Sequence, residues 1–372
     1  MSFDPSRPYT DLPNLPPAVE IETKTVLKAC VKARATLGML ANPLSLPSMH
    51  PFCYEQLHDE PVFDPRRHLA LEPPMRRWTL DDLGYTEQEA KICASRVAVA
   101  GPLRLLSDQG AEAARNIALA LGGSRQEGDR TASYLAGGVY RSAFLRDLCN
   151  CPEVTAFFSE IAGCEMLPHS MPSQQVYINY APEDLSKAVD TWHTDSIGFD
   201  CVLMISDPAS FSGGQFQFFV GTRDEAASLL DSCPENLTAA NVRDLPAGRV
   251  VGVQFPAAGY AVFQQGTMVV HRATRLERRA ERNTAVIGYV SRDVALPDPT
   301  VDSIVEWGEP GIIAEFARHK AWLSRTKLDY LMRQIDLNAS AADVRKLLAE
   351  AIEDARRAID VIDGASEKDR TP

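Results

Sequence analysis

The rhythm of apolar and polar positions changes along the chain, and the changes divide it. From Gln174 to Arg292 it consists of short runs rich in Val, Ile, Phe and Tyr: QQVYINY, DCVLMIS, QFQFFVG, YAVFQQ, MVVH and NTAVIGYV. Such residues fit a pleated, half-buried surface, so each run predicts a strand. The breaks are PED, SGG and PAAG, and nothing of helix length separates most neighbouring runs, which predicts antiparallel pairing. The exception is Thr222 to Asp244, an insertion with helical character.

On both sides the period lengthens to that of a helix. Thr86 and Glu89 form a possible capping box, Ser107 precedes DQGAEAARNIALAL, and Pro152 opens PEVTAFFSEIAG, which Gly163 closes. Beyond Pro297 come AEFARHKAWLSRTKLDYLMRQI and, behind Ser340-x-x-Asp343, DVRKLLAEAIEDARRAIDVID. Residues 1–75 are rich in Pro, with one helical pattern between Glu22 and Leu40. The expectation is an α+β chain forming one structural unit: an N-terminal arm and helical layer over 1–165, a β core over 166–297, and C-terminal helices over 298–372. The helices carry apolar stripes without polar motifs, so they read as a support layer for the core.

Charge and composition narrow the function classes. Among 372 residues, 38 Lys and Arg face 50 Asp and Glu, and the net charge of −12 disfavours a phosphate backbone or an anionic membrane as partner. The eight Cys include no CxxC pair, which predicts reduced cytoplasmic thiols rather than a zinc knuckle or a disulfide scaffold. The N-terminus has no basic segment followed by an apolar one, and no apolar run reaches membrane-spanning length; the expectation is a protein neither secreted nor membrane-embedded.

The candidate chemistry begins at His193-Thr194-Asp195, since alternate residues of a strand share a face and could present an imidazole and a carboxylate to one metal ion. With 7 His in the chain an HxD or HxE also arises by chance, and His58-Asp59-Glu60 is one. Context separates the two: His58 sits in the Pro-rich stretch, His193 beside a predicted strand. His271, closing GTMVVH, is the other histidine of the β region. Two imidazoles and one carboxylate leave three metal positions open, as a non-haem Fe(II) oxygenase requires. About ten residues beyond His271 stands Arg282, with Thr284 at the alternate position, a pair suited to hold a carboxylate. The same RxT spacing recurs at Arg34 and Arg272, so the distance from His271 carries the signal.

In this pattern of HxD, a long gap, a second His, and then Arg with Thr two positions on, the chain resembles the Fe(II)/2-oxoglutarate-dependent oxygenase superfamily. QVYINYAP is similar to its strand supplying a cosubstrate-contacting Tyr or Asn, and SGGQFQFF to the Gly-Gly hairpin of the prolyl-hydroxylase-like branch. The resemblance, spanning roughly residues 174–290, implies a double-stranded β-helix (jelly-roll, cupin-like) core. It implies Fe(II) held by His193, Asp195 and His271, and 2-oxoglutarate paired through its distal carboxylate with Arg282, assisted by Thr284. Tyr180 or Asn179 would contact the cosubstrate, with Tyr177, which shares parity with Asn179, as a third candidate. It implies an enzyme that takes dioxygen, and with no basic groove for nucleic acid and no recognisable peptide-binding module the expected substrate is a small molecule. Related halogenases replace the carboxylate ligand with a small residue; this chain keeps Asp195, so hydroxylation, desaturation or cyclisation is the expected outcome. A 2-oxoglutarate-independent iron oxidase and a non-catalytic cupin-like binding protein are the alternative readings. Substrate contacts expected from parity are Val286, Gly288, Val290 and Arg292 on the strand of Thr284. Of the hairpin residues, one set of Gln215, Gln217 and Phe219 or Phe216 and Phe218 should face inward. Trp192, beside the first His, reads as a packing residue.

Overall fold

A computed structural model describes residues 39–51, 53–234, 237 and 244–368. The helix read from Glu22 to Leu40 lies outside these except for its last two residues, where Leu40 instead forms an antiparallel bridge with Asp293.

The strands are β1 (Leu69–Glu72), β2 (Arg76–Thr79), β3 (Val97–Leu106), β4 (Gln126–Glu127), β5 (Ser133–Leu135), β6 (Met166–Pro168) and β7 (Tyr177–Asn179). They continue with β8 (Asp190–His193), β9 (Phe199–Met204), β10 (Phe216–Phe219), β11 (Val250–Val253), β12 (Tyr260–Gln264), β13 (His271–Ala273) and β14 (Thr284–Ser291). A large sheet runs β1-β3-β12-β9-β14-β7-β5-β4, with β2 also on β3 and β6 also on β14; a small sheet runs β11-β10-β13-β8, and all pairs are antiparallel. From β7 to β14 the chain passes back and forth between the sheets, with one stay of two strands at β10 and β11. This is the connectivity of a double-stranded β-helix, the fold class expected.

Every residue of β9 is buried, because each of its faces has a partner layer. Phe199, Cys201 and Leu203 pack outward with Phe263, Ile287 and Tyr289 against helices Asp108–Leu121 and Pro152–Ala162. The ring of Phe158 stacks on Phe263 at 5.2 Å. Val202 and Met204 face the small sheet, meeting Phe216, Phe218, Val251 and Val253. Removing one such aromatic, as in Phe158→Ala, costs about 3–5 kcal/mol.

The predicted caps form. Thr86 and Glu89 close a reciprocal capping box, Ser107 accepts from the Gly110 N–H at 3.1 Å, and Gly163 ends its helix at a φ of 69°. The N-terminal region is nevertheless not a purely helical layer. Its longest regular element apart from helix Asp108–Leu121 and helix Pro152–Ala162 is the strand β3, which extends the large sheet. β3 has eight buried positions among its ten, so both faces are apolar and the alternation that marks a strand is missing.

The C-terminal helices Ile312–Gln334 and Ala341–Lys368 close the far side. Phe316, Ile312 and Ala358 pack on Met171, Ile197, Ile304 and Val305. Charged groups are buried at this junction. Asp298 accepts from Lys320 Nζ at 2.6 Å and meets His319 Nε2 at 2.8 Å, while His319 Nδ1 meets Ser170 Oγ at 2.5 Å. Glu315 accepts from the Tyr140 hydroxyl at 2.7 Å and from the Ser173 N–H at 2.8 Å. Among the described residues no helix is long and apolar enough to cross a membrane.

A chain ending at residue 300 is therefore expected to be unfolded by far-UV circular dichroism, because it exposes this apolar seam and strips Asp298 of Lys320 and His319. A cooperatively melting, active fragment would show the C-terminal helices to be dispensable. The junction also predicts acid lability. Burial, with His319 alongside, pushes His169 down to about 3. The unfolded chain binds that proton below ~6.5, so stability falls as the pH drops from there toward 3. Burial would raise the Asp298 carboxyl, but His319 and Lys320 hold it well below the usual carboxylate range. Its contribution is present above ~3.9 and is lost as the pH falls further. Tm measured against pH should fall throughout this range, less steeply between ~6.5 and 4 in His169→Gln.

Candidate metal centre

The β8–β13 pairing sets His193 and His271 directly opposite one another. Their rings lie 4.2 Å apart between centroids and both are almost wholly buried. Each Nδ1 meets a backbone carbonyl two residues upstream: His193 with Thr191 O at 2.6 Å and His271 with Val269 O at 3.0 Å. A carbonyl only accepts, so each Nδ1 carries the hydrogen and each Nε2 presents a lone pair. Both Nε2 atoms point at Asp195, which stands 3.4 Å from the first through Oδ1 and 3.3 Å from the second through Oδ2.

Asp195 lies just past the end of β8, where its N–H donates to Gly266 O at 2.9 Å. Residue 266 must be glycine, since a Cβ there would come within 2.7 Å of the Asp195 Cβ and 2.4 Å of an Asp200 oxygen. One donor atom from each of His193, Asp195 and His271 lies within 4.8 Å of the others. Two imidazoles with fixed tautomers and one ionised carboxylate suit a divalent first-row metal. Burial would raise the Asp195 carboxyl, but His271, His193 and Arg130 hold it well below its ordinary value. Burial and the facing His193 lower His271 to about 4, which keeps it neutral and able to ligate at physiological pH.

The second predicted pair lies in the same pocket. Arg282 is 1% exposed, donates from Nε to Gly214 O at 3.1 Å and from Nη1 to Thr284 Oγ1 at 3.2 Å. Gly213 and Gly214, in the predicted hairpin, both have positive φ, and a Cβ on Gly213 would meet Arg275 O at 2.3 Å. The tight turn thus brings a carbonyl to Arg282 and orients its guanidinium. Burial lowers Arg282 to about 10, with the Asp190 charge opposing, so it stays cationic at neutral pH.

These groups line one pocket. Tyr177 and Asn179 line it, and the amide oxygen of Asn179 is buried without a partner. Tyr180 does not: its hydroxyl donates to Ala118 O at 2.9 Å within the core beneath helix Asp108–Leu121, so strand parity excludes it from the site. Of the residues following Thr284, Val286 lines the pocket. Arg292 is a structural residue tied to Glu165 at 2.7 Å and to Ala41 O at 2.6 Å. In the hairpin strand, Phe216 lines the pocket and Phe218 packs beneath it on Trp78. Trp192 faces outward, donating to Asp244 at 2.7 Å under the Arg272 guanidinium. His58 is exposed and belongs to no such cluster among the described residues.

The sequence reading missed two buried residues beside the triad. Gln264 and Asp200 are both 0% exposed. Gln264 Nε2 lies 3.2 Å from Asp195 Oδ2, 3.0 Å from Asp200 Oδ1 and 3.1 Å from His271 Nε2. Burial and the Asp195 charge push the Asp200 carboxyl well above its usual range. The available signal was one polar residue in each of the apolar runs YAVFQ and DCVLM, on the strand face opposite to Phe263 and Cys201.

Gln264 is placed to hold Asp195 in a single orientation. Gln264→Leu is expected to weaken Co(II) binding about tenfold or more, read by visible absorption titration, with the apo-protein Tm nearly unchanged. An unaltered Co(II) affinity would show that the amide does not orient Asp195.

No protein-family model and no curated protein matches the chain. Solved structures similar to it include the non-haem alpha-ketoglutarate-dependent epimerase SnoN of nogalamycin biosynthesis, at 16% identity and a TM-score of 0.39 over 57% of this chain and 83% of that one. The carbocyclase SnoK of the same biosynthesis matches at 16% identity and a TM-score of 0.38, over 57% and 86%. A 2OG-Fe(II) oxygenase family oxidoreductase from Burkholderia pseudomallei matches at 20% identity and a TM-score of 0.27, over 40% and 57%. Likenesses of this degree leave the residue assignments to the geometry of the site itself.

Proposed function

We propose that the protein is a non-haem iron oxygenase that couples 2-oxoglutarate decarboxylation to oxidation of a small molecule. The observation that carries the reading is the convergence, in one buried pocket, of a His–Asp–His donor set with a buried arginine–threonine pair. A zinc hydrolase is specified by the donor set and one open position alone, whereas the buried cation in the same pocket is a further group. A 2-oxo diacid needs both.

In this reading His193, Asp195 and His271 would hold Fe(II), and the iron with 2-oxoglutarate and dioxygen would supply the oxidising power for C–H oxidation. The chain contributes position and dryness. Arg282, oriented by Gly214 O and Thr284, pairs with the distal carboxylate of the diacid, which fixes the direction of its other end toward the triad. Asn179, with its unpartnered amide oxygen, and Tyr177 flank the same volume. Val202, Phe216 and Val286 line the pocket with apolar surface and keep water out. Because Asp195 is present, no ligand position is left open for a halide in its place. Hydroxylation, desaturation or ring closure fits the donor set.

The test is an anaerobic absorption titration with Fe(II) and 2-oxoglutarate, followed by succinate formation in a substrate screen. His271→Ala is expected to lose both iron and turnover. Arg282→Ala leaves a buried anion without its partner and should raise the apparent 2-oxoglutarate constant about 30-fold to several-thousand-fold, with iron occupancy retained. Arg282→Lys should recover part of that loss, since an ammonium keeps the charge without the planar two-point contact. Activity of the wild type without any 2-oxo acid would replace this reading with an iron oxidase. Stoichiometric iron without oxygen uptake would replace it with a binding protein.

A further inference from the structure

Besides Arg282 the pocket is lined by Arg272, whose guanidinium is taken up by Gln217 and Asp244 at 2.9 Å each, and by Arg130, which has no assigned role in binding the diacid. Arg130 sits between β4 and β5, on a segment pinned to β8 by backbone bonds: Thr191 N–H donates to Arg130 O at 3.3 Å and Ala132 N–H to Val189 O at 3.1 Å. The Thr131 hydroxyl adds a bond to Asp190 Oδ2 at 3.0 Å. Its guanidinium is therefore anchored at the base, yet 22% of the side chain remains exposed, and the residue lines the pocket. Its nearest carboxylate oxygens are Asp195 Oδ1 at 3.7 Å and Asp190 Oδ1 at 3.9 Å, both beyond hydrogen-bond length. Its donors therefore keep only long ion-pair contacts to these two carboxylates, at a cavity that is open to the side chain.

Apolar and aromatic side chains share the wall with the polar ones. Tyr177, its ring stacked at 5.1 Å on Tyr134, Ile197, Val286 and Trp307 line the same pocket. Trp307 comes from the segment just before helix Ile312–Gln334, so the C-terminal layer supplies a pocket wall as well as support.

Resting on the reading above, we propose that Arg130 is a substrate-binding residue and that the substrate is a small, largely apolar acid whose single carboxylate pairs with it. The apolar body of such an acid would lie against Tyr177, Ile197, Val286 and Trp307, presenting a C–H bond toward the triad. One guanidinium beside two carboxylates suits a monoanion; a phosphate dianion would meet Asp190 and Asp195 with too few donors in return. Arg282, at the hairpin side, and Arg130, at the β8 side, would then divide the two anions between them.

The test uses the full chain loaded with Co(II) and 2-oxoglutarate under argon. Saturation-transfer NMR and calorimetry would follow a panel of monocarboxylic acids, phenylacetate, cinnamate and decanoate among them, against their primary amides and against phenyl phosphate. Acids are expected to bind and their amides to bind at least about thirtyfold more weakly. Arg130→Gln should remove that preference while 2-oxoglutarate affinity stays within about twofold of wild type; Co(II) is kept saturating, because the lost guanidinium also faces the Asp195 carboxylate. Equal binding of acids and amides, a preference for the phosphate, no binding by any acid, or Arg130→Gln leaving the acid preference intact would each overturn the proposal. Failure of the reading it rests on would look different: an unchanged 2-oxoglutarate constant in Arg282→Ala.

Discussion

The pairing of β8 with β13 is the constraint on which the site depends. It places His193 opposite His271, and both side chains point into the barrel because residues on one strand face share a direction. A slip of one residue would turn one imidazole out of the pocket and leave a buried ring against apolar neighbours. The register is secured from both sides, since β13 also pairs with β10 and there sets His271 against Phe218, a residue locked under Trp78. The core packing of the small sheet therefore does part of the work of ligand placement.

A buried polar cluster of this kind is stable only if its charges balance. Asp195 has two imidazoles, an amide and a guanidinium around it, and Asp190 stands between Arg130 and the His193 ring at 3.9 and 3.5 Å. Arg282 has only neutral acceptors at hydrogen-bond distance. A fully buried cation satisfied by a carbonyl and a hydroxyl alone retains most of its desolvation cost, and an anionic ligand would offset it. The same reasoning makes the orphan oxygen of Asn179 a site of expected contact rather than a packing defect.

The helical layers act on the site at a distance. Helices Asp108–Leu121 and Pro152–Ala162 cover the outer face of the large sheet, which allows β9 and β12 to be apolar on one face and polar at Asp200 and Gln264 on the other. The C-terminal pair covers Ile197 and Met171 and carries Trp307 to the pocket edge. A support layer and a pocket wall are thus the same segment, so substitutions at its junction with Asp298 should be felt as stability and those at Trp307 as binding.

The sequence by itself determined the elements whose signal is local. Strand runs between Gln174 and Arg292 are legible because β-branched and aromatic residues cluster between turn residues, and the caps at Thr86, Ser107 and Gly163 because each satisfies backbone groups within a few positions. Residue type and spacing, read together with the family resemblance, singled out His193, Asp195 and His271, whose donor atoms the fold gathers, and Arg282 with Thr284, which it sets in the same pocket. Tertiary structure decided what depends on neighbours distant in the chain. β3 has no alternation because it is buried on both faces, and Tyr180 and Asn179, adjacent in sequence, part company because successive strand residues face opposite layers. Arg130 and Trp307 reach the pocket, and Gln264 the Asp195 carboxylate in its wall, from three separated segments, and no local period records that they meet. Their convergence follows from sheet register and layer packing, which are properties of the whole fold.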